Sequence, residues 1–128
     1  MSSYLLDTHT LLWTIGDSSK LSDRAREIIE GDNDIYYSDV SLWEIAIKNS
    51  IGKLEIAGTI HDIEDECMEQ EFTKLEIRSP HFECLRRLPI HHQDPFDRLI
   101  ISQAMVDNLS IISADHFFQK YAVDVIWR

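Results

Sequence analysis

The sequence predicts an α/β domain built on a central parallel sheet of about five short strands with helices on both faces. Apolar runs of strand length alternate with stretches of helical periodicity along the whole chain. Helix-start signals at Ser22, Ser79-Pro80 and Asp94-Pro95 fall between those runs. No internal repeat, low-complexity tract or linker rich in glycine, proline or serine interrupts the 128 residues, so 1–128 reads as a single domain.

Ser3 to Asp7 reads as an apolar strand ending in an acid, and Thr8 to Ile15 has helical spacing through Leu11, Leu12 and Ile15. Ser22 can cap a helix through Ala25, Ile28 and Ile29 that stops at Gly31, and Asp34 to Ser38 is the second strand. Ser41 opens a longer helix through Leu42, Ile45, Ala46 and Ile47 that ends near Gly52, and the acidic stretch Thr59 to Glu71 is also helical. Lys74 to Ile77 is the third strand. Proline suits the first helical position, where no N–H is needed, so Pro80 and Pro95 open helices over Phe82 to Leu88 and Phe96 to Asn108. Ser110 to Ser113 is the fourth strand, a helical turn passes through Phe117 and Phe118, and Val123 to Trp127 is the fifth.

An apolar fraction of 44% with 27% charged residues fits a folded globular chain. The run Tyr4 to Leu6 is too short for a signal peptide, and Leu99 to Val106 is broken by Ser102 and Gln103, so a soluble cytoplasmic protein without membrane contact is expected. Cys67 and Cys84 lack a CxxC partner and read as reduced thiols. The four glycines are scattered, which excludes a phosphate-cradling loop and a dinucleotide fingerprint, and there is no GxSxG elbow. A formal net charge of −11 opposes long-range attraction of a polyanion. It opposes it less if carboxylates are gathered where divalent cations cancel them.

In an open parallel sheet, ligands bind at the carboxyl ends of the strands, where acids scattered in sequence can converge. Asp7 ends the first strand, Glu44 lies in the first turn of the third helix, Asp97 in the first turn after Asp94-Pro95, and Asp115 follows the fourth strand. Such an oxygen-rich set suits Mg2+ or Mn2+, which can polarise a phosphodiester and activate water without a covalent protein nucleophile. Three of the acids also have structural uses. Glu44 fits a capping box with Ser41, Asp97 complements a helix dipole, and Asp115 can cap a helix. Asp7 gains little at a strand end unless something cationic meets it.

Four blocks, YLLDTHTLLW (4–13), SDVSLWEIAIK (38–48), HHQDPFDRLII (91–101) and ISAD (112–115), resemble the signature blocks of VapC-like PIN-domain proteins and occur in that family's order. The resemblance implies a PIN-like three-layer α/β/α fold with Asp7, Glu44, Asp97 and Asp115 as metal-binding acids. It places Ser113 where a hydroxyl helps arrange the site, and Asp94 as a helix cap rather than a ligand. It also implies metal-dependent endoribonuclease activity on RNA, a toxin role, a homodimer, and a cognate antitoxin whose tail covers the site.

With four of the 23 acids in such a site, about −7 remains elsewhere, which suits a basic antitoxin segment. Arg24, Arg26, Lys48, Arg86, Arg87 and Arg98 are the candidates to grip RNA, although solvated faces and surface ion pairs account better for any one of them. Adjacent His91 and His92 diverge and support the loop before Asp94 rather than bind zinc, and His9 reads as a helix-start residue. Trp13, Trp43, Phe117 and Phe118 read as core or interface aromatics rather than base-stacking platforms. Two other functions compete: a PIN-like binding module that acts through a protein partner without cleaving, and a phosphoacceptor signalling domain. The second wants paired acids after the first strand, where Thr8 and His9 stand here.

Overall fold

Five short strands make one sheet in the computed structural model, which describes residues 2–128. They are β1 (Ser3–Leu6), β2 (Asp34–Ser38), β3 (Thr73–Leu75), β4 (Ser110–Ile112) and β5 (Val125–Ile126). Every pairing is parallel and the order is β3-β2-β1-β4-β5, with Tyr4 opposite Ile35 on one side and Ser110 on the other. The chain winds outward from β1 through β2 to β3, then returns to the other side of β1. The winding therefore reverses between β1 and β4, where a crevice opens at the carboxyl ends of the strands. This order also differs from the 2-1-3-4-5 arrangement of phosphoacceptor domains of flavodoxin-like topology.

Six helices flank the sheet: α1 (Thr8–Gly16), α2 (Asp23–Glu30), α3 (Asp39–Ser50), α4 (Ile60–Glu69), α5 (Ser79–Arg87) and α6 (Pro95–Asp107). Short 3-10 turns lie at Ser18–Lys20 and His116–Lys120. Strand side chains alternate between faces and build two cores. Leu5 and Ile111 pack with Leu99, Ile100 and Ala104 of α6 and with Phe118. Leu6 and Ile112 pack with Leu11, Ala25, Ile45, Ile63 and Cys67 from α1 to α4. Burial on both faces explains the unbroken apolar strands, each such aliphatic side chain contributing about 1.5–3 kcal/mol.

Several boundaries move from their expected places. Ser38, not Ser41, caps α3: its hydroxyl accepts the Val40 amide at 2.9 Å and bonds to Gln103 on α6. β2 thus runs straight into the helix, Ser41 lies inside it, and Glu44 falls in the second turn with no capping box to close. β3 sits earlier than Lys74 to Ile77 because its register is set by Tyr36, Tyr37 and Ser38. Ser79 lies within α5, whose cap position is Arg78. β5 keeps two of its five expected residues.

Both cysteines are free, and burial pushes the Cys67 thiol up to about 12, so it stays protonated. No described helix is long and apolar enough to cross a membrane.

Candidate metal centre

Asp7 and Asp115 follow β1 and β4 at their carboxyl ends, and their charges, with those of Asp94 and Glu44, reach Asp97. Asp7 follows the last residue of β1 and caps α1, accepting the Thr10 amide at 2.9 Å. Asp7 therefore gains more at the strand end than the sequence led us to expect, because it caps a helix. Its other oxygen accepts the Ser113 hydroxyl at 2.6 Å, and Ser113 Oγ accepts the Asp115 amide at 3.0 Å. One hydroxyl just beyond β4 thus ties Asp7 to the loop carrying Asp115. Asp7 is only 4% exposed, and burial raises its pKa against the bonds from Ser113 and Thr10. Asp115 caps the following 3-10 turn through the Phe117 amide at 2.9 Å.

Asp94 caps α6, one oxygen accepting the amides of Phe96 and Asp97 at 2.9 and 3.0 Å. Asp97 occupies the first turn of that helix. Burial, then the charges of Asp94, Glu44, Asp7 and Asp115, push its carboxyl up to about 8. The fields of the other acids therefore meet at Asp97, and helix-dipole stabilisation does not compensate. Glu44, 3% exposed, reaches in from α3. Thr8 donates its hydroxyl to one oxygen at 2.6 Å, and Lys48 pairs with the other.

Among the described residues, no three acidic, histidine or cysteine side chains are drawn close enough together to hold a metal ion. The acids instead satisfy local partners: Asp7 has Ser113 and Thr10, while Glu44 has Thr8 and Lys48. The donor set still fits a hard divalent cation. All four donors are carboxylates, two are almost wholly buried, and Asp97 carries repulsion that a cation would relieve.

Of the basic candidates, Lys48 alone pairs with one of these acids among the described residues. Arg24 and Arg26 reach the backbone oxygens of Arg128 and Ser18, Arg86 pairs with Glu83, and Arg98 binds the carbonyls of Leu88 and Pro89 and the Tyr121 hydroxyl. His9 and Trp13 line a shallow depression with Asp7, Ala114 and Asp115. Phe118 is a core residue, whereas Trp43 is 47% exposed and meets Phe96 edge-on at 4.9 Å.

Sequence reasoning missed Thr8 and Ser41, whose buried hydroxyls lie 3.0 Å apart beside Glu44. The available signal was a hydroxyl directly after Asp7. It also left His92 as a loop support, yet His92 Nε2 lies 3.5 Å from Asp97 Oδ2.

Residues 4–124 match the model of the PIN domain family. No curated protein matches the chain. Among solved structures, the fold is similar to a chain of VapBC2 from Rickettsia felis bound to a DNA fragment from its promoter. That match has a TM-score of 0.74 and 16% identity, covering 98% of this chain and 99% of that one. DNA-bound VapBC from Salmonella typhimurium follows at 0.70 and 14%, covering 98% of each chain. FitAcB from Neisseria gonorrhoeae matches at 0.62 and 19%, covering 96% of each.

Proposed function

This chain belongs to the PIN-domain family, whose members are typically nucleases, and we propose that it is a metal-dependent endoribonuclease, the toxin of a toxin-antitoxin pair. The observation that carries this reading is Asp97, a half-buried acid raised by desolvation and then by the charges of Asp94, Glu44, Asp7 and Asp115. Asp7, Glu44, Asp97 and Asp115 would hold Mg2+ or Mn2+. Bound there, the cation supplies polarisation of the scissile phosphodiester and activation of the attacking water.

The protein's own groups set the stage. Ser113 fixes the Asp7 carboxylate and the Asp115 loop together, while Thr8 aims Glu44. Lys48, paired with Glu44, stands beside these acids as an ammonium that would suit an RNA phosphate. The acidic surface suits a basic antitoxin segment, and the VapBC complexes among the fold neighbours support a protein partner. A homodimer and a cytoplasmic location belong to the same reading.

The test is cleavage of a mixed cellular RNA pool by the purified, antitoxin-free protein, with and without Mg2+ or Mn2+, beside Asp7→Asn. Metal-dependent cutting that the variant loses supports the nuclease. No cutting by folded protein with either metal overturns it in favour of a non-catalytic module that acts through its partner.

A further inference from the structure

We propose that His92 is a positioning residue for Asp97, presenting an N–H on Nε2 to the carboxylate that the reading above uses as a metal ligand; the inference rests on that reading. His92 is not a metal ligand in this proposal. It holds the proton that keeps one ligand oriented.

The tautomer follows from counting donors at Tyr121, a residue buried behind the site. Its phenol oxygen receives the backbone amides of His91 and His92 at 3.2 and 3.3 Å and an Arg98 guanidinium N–H at 3.2 Å. None of these groups can act as an acceptor. The phenol proton must therefore leave in another direction, and His92 Nδ1 lies 2.8 Å away. A proton on Nδ1 would add a fourth donor to that oxygen and strand the phenol O–H. Nδ1 accepts, so in the neutral ring Nε2 carries the hydrogen.

That N–H is buried with no hydrogen-bond partner, at 3.5 Å from Asp97 Oδ2. An orphaned buried donor is destabilising, and a small rotation of the Asp97 carboxylate would satisfy it. The ring is also locked in place. It stacks on Phe117 with centroids 5.5 Å apart and planes 3° from parallel, and the Phe117 amide bonds Asp115. His92 thus links Asp97 on α6 to the loop of Asp115, and outer groups of this kind govern how ligating carboxylates are aimed.

The tautomer is read first, from the ring-nitrogen NMR spectrum of the metal-free, 15N-labelled full chain. A single Nε2–H species is expected for His92, and Tyr121→Phe should convert it to a mixture. Calorimetric Mn2+ titration then compares His92→Phe, His92→Asn and His92→Gln. Phenylalanine keeps the stack without a donor, asparagine keeps only the Nδ1 side, and glutamine places an N–H near Nε2. Roughly tenfold weaker Mn2+ binding is expected for the first two, with glutamine restored to within about threefold of the wild type. A purely structural role would not produce that rescue.

A ring proton on Nδ1, or His92→Phe binding Mn2+ as tightly as the wild type, overturns the proposal. If the Mn2+ pattern holds but no RNA is cut, His92 stands and the nuclease reading falls. If the wild type binds no Mn2+, both fall.

Discussion

Helix α6 carries an acid near each end, and the protein surrounds the two in opposite ways. Asp97 sits in the first turn, where the helix dipole favours a negative charge by about 0.3–1 kcal/mol; Asp107 sits in the last, where it is disfavoured. The carboxyls respond the other way round. Burial and four acidic neighbours push Asp97 up to about 8. Burial also pushes Asp107 up, but bonds from His81 at 2.7 Å and Arg78 at 2.6 Å outweigh it and leave that carboxyl below its usual range. His81 is fully buried, and its Nδ1 accepts the Arg78 amide at 3.0 Å, so Nε2 supplies the proton to Asp107. Cations and donors are thus supplied where a charge joins α5 to α6. Facing the crevice, Asp97 has no closed side-chain bond among the described residues, with His92 Nε2 at 3.5 Å, and that asymmetry separates a stabilising acid from one that the proposed cation would partner.

The largest test of this contrast is Asp97→Asn. Mn2+ affinity and any RNA cleavage should fall by roughly a hundredfold or more, the scale of a ligand worth several kcal/mol. The metal-free protein should nevertheless melt about 3–6 °C higher, as expected for ~1 kcal/mol of relieved repulsion in a chain of this size. A lower melting temperature would break the comparison. Asp107→Asn should do the reverse, costing about 1–3 kcal/mol by leaving His81 and Arg78 facing a neutral amide. Mn2+ affinity, read by calorimetry, should be unchanged.

The pH dependence of stability sharpens the same contrast. Between the unfolded carboxylate value of about 3.9 and about 8, native Asp97 retains a proton that the unfolded chain releases, so its contribution falls as pH rises. Asp107 contributes stability above that unfolded value and loses it as pH falls through its lowered native value. Metal-free denaturation curves should therefore show a decline from pH 4 to 8 that Asp97→Asn removes and Mn2+ flattens. The smallest change in metal binding belongs to Lys48→Met. Its loss leaves the buried Glu44 carboxylate without a counter-charge, costing about 1–3 kcal/mol in the metal-free protein, and should tighten Mn2+ binding about two- to threefold, because a competing cation is gone.

What the sequence displayed was local chemistry. Asp94 and Pro95 announce a cap and a first helical position whatever surrounds them, and the structure puts both there. Ser41 and Glu44 also formed a plausible local cap, but tertiary bonding chose Ser38, whose hydroxyl reaches Gln103, 65 residues away. The acids were legible because carboxylates at strand ends and helix starts are conspicuous. Their supports were not. Thr8 meets Glu44 across 36 residues, and the role of His92 depends on Tyr121, 29 residues further along. Nothing in the flanking sequence of either residue encodes such a partner. Lys48 was singled out for RNA, and its pairing with Glu44 shows only in the fold.

The bond from Ser113 to Asp7 spans 106 residues, and β1 lies between β2 and β4, so the innermost strand is made long before one of its neighbours. At about 5–20 residues per second, a ribosome needs roughly 5–20 s to pass from one to the other. During that interval Asp7 has neither its hydroxyl partner nor the Asp115 loop beside it. On the proposed nuclease reading, a nascent copy therefore lacks the full acid set while it remains attached to the messenger and ribosomal RNA that produce it, and the order of synthesis itself delays the hazard.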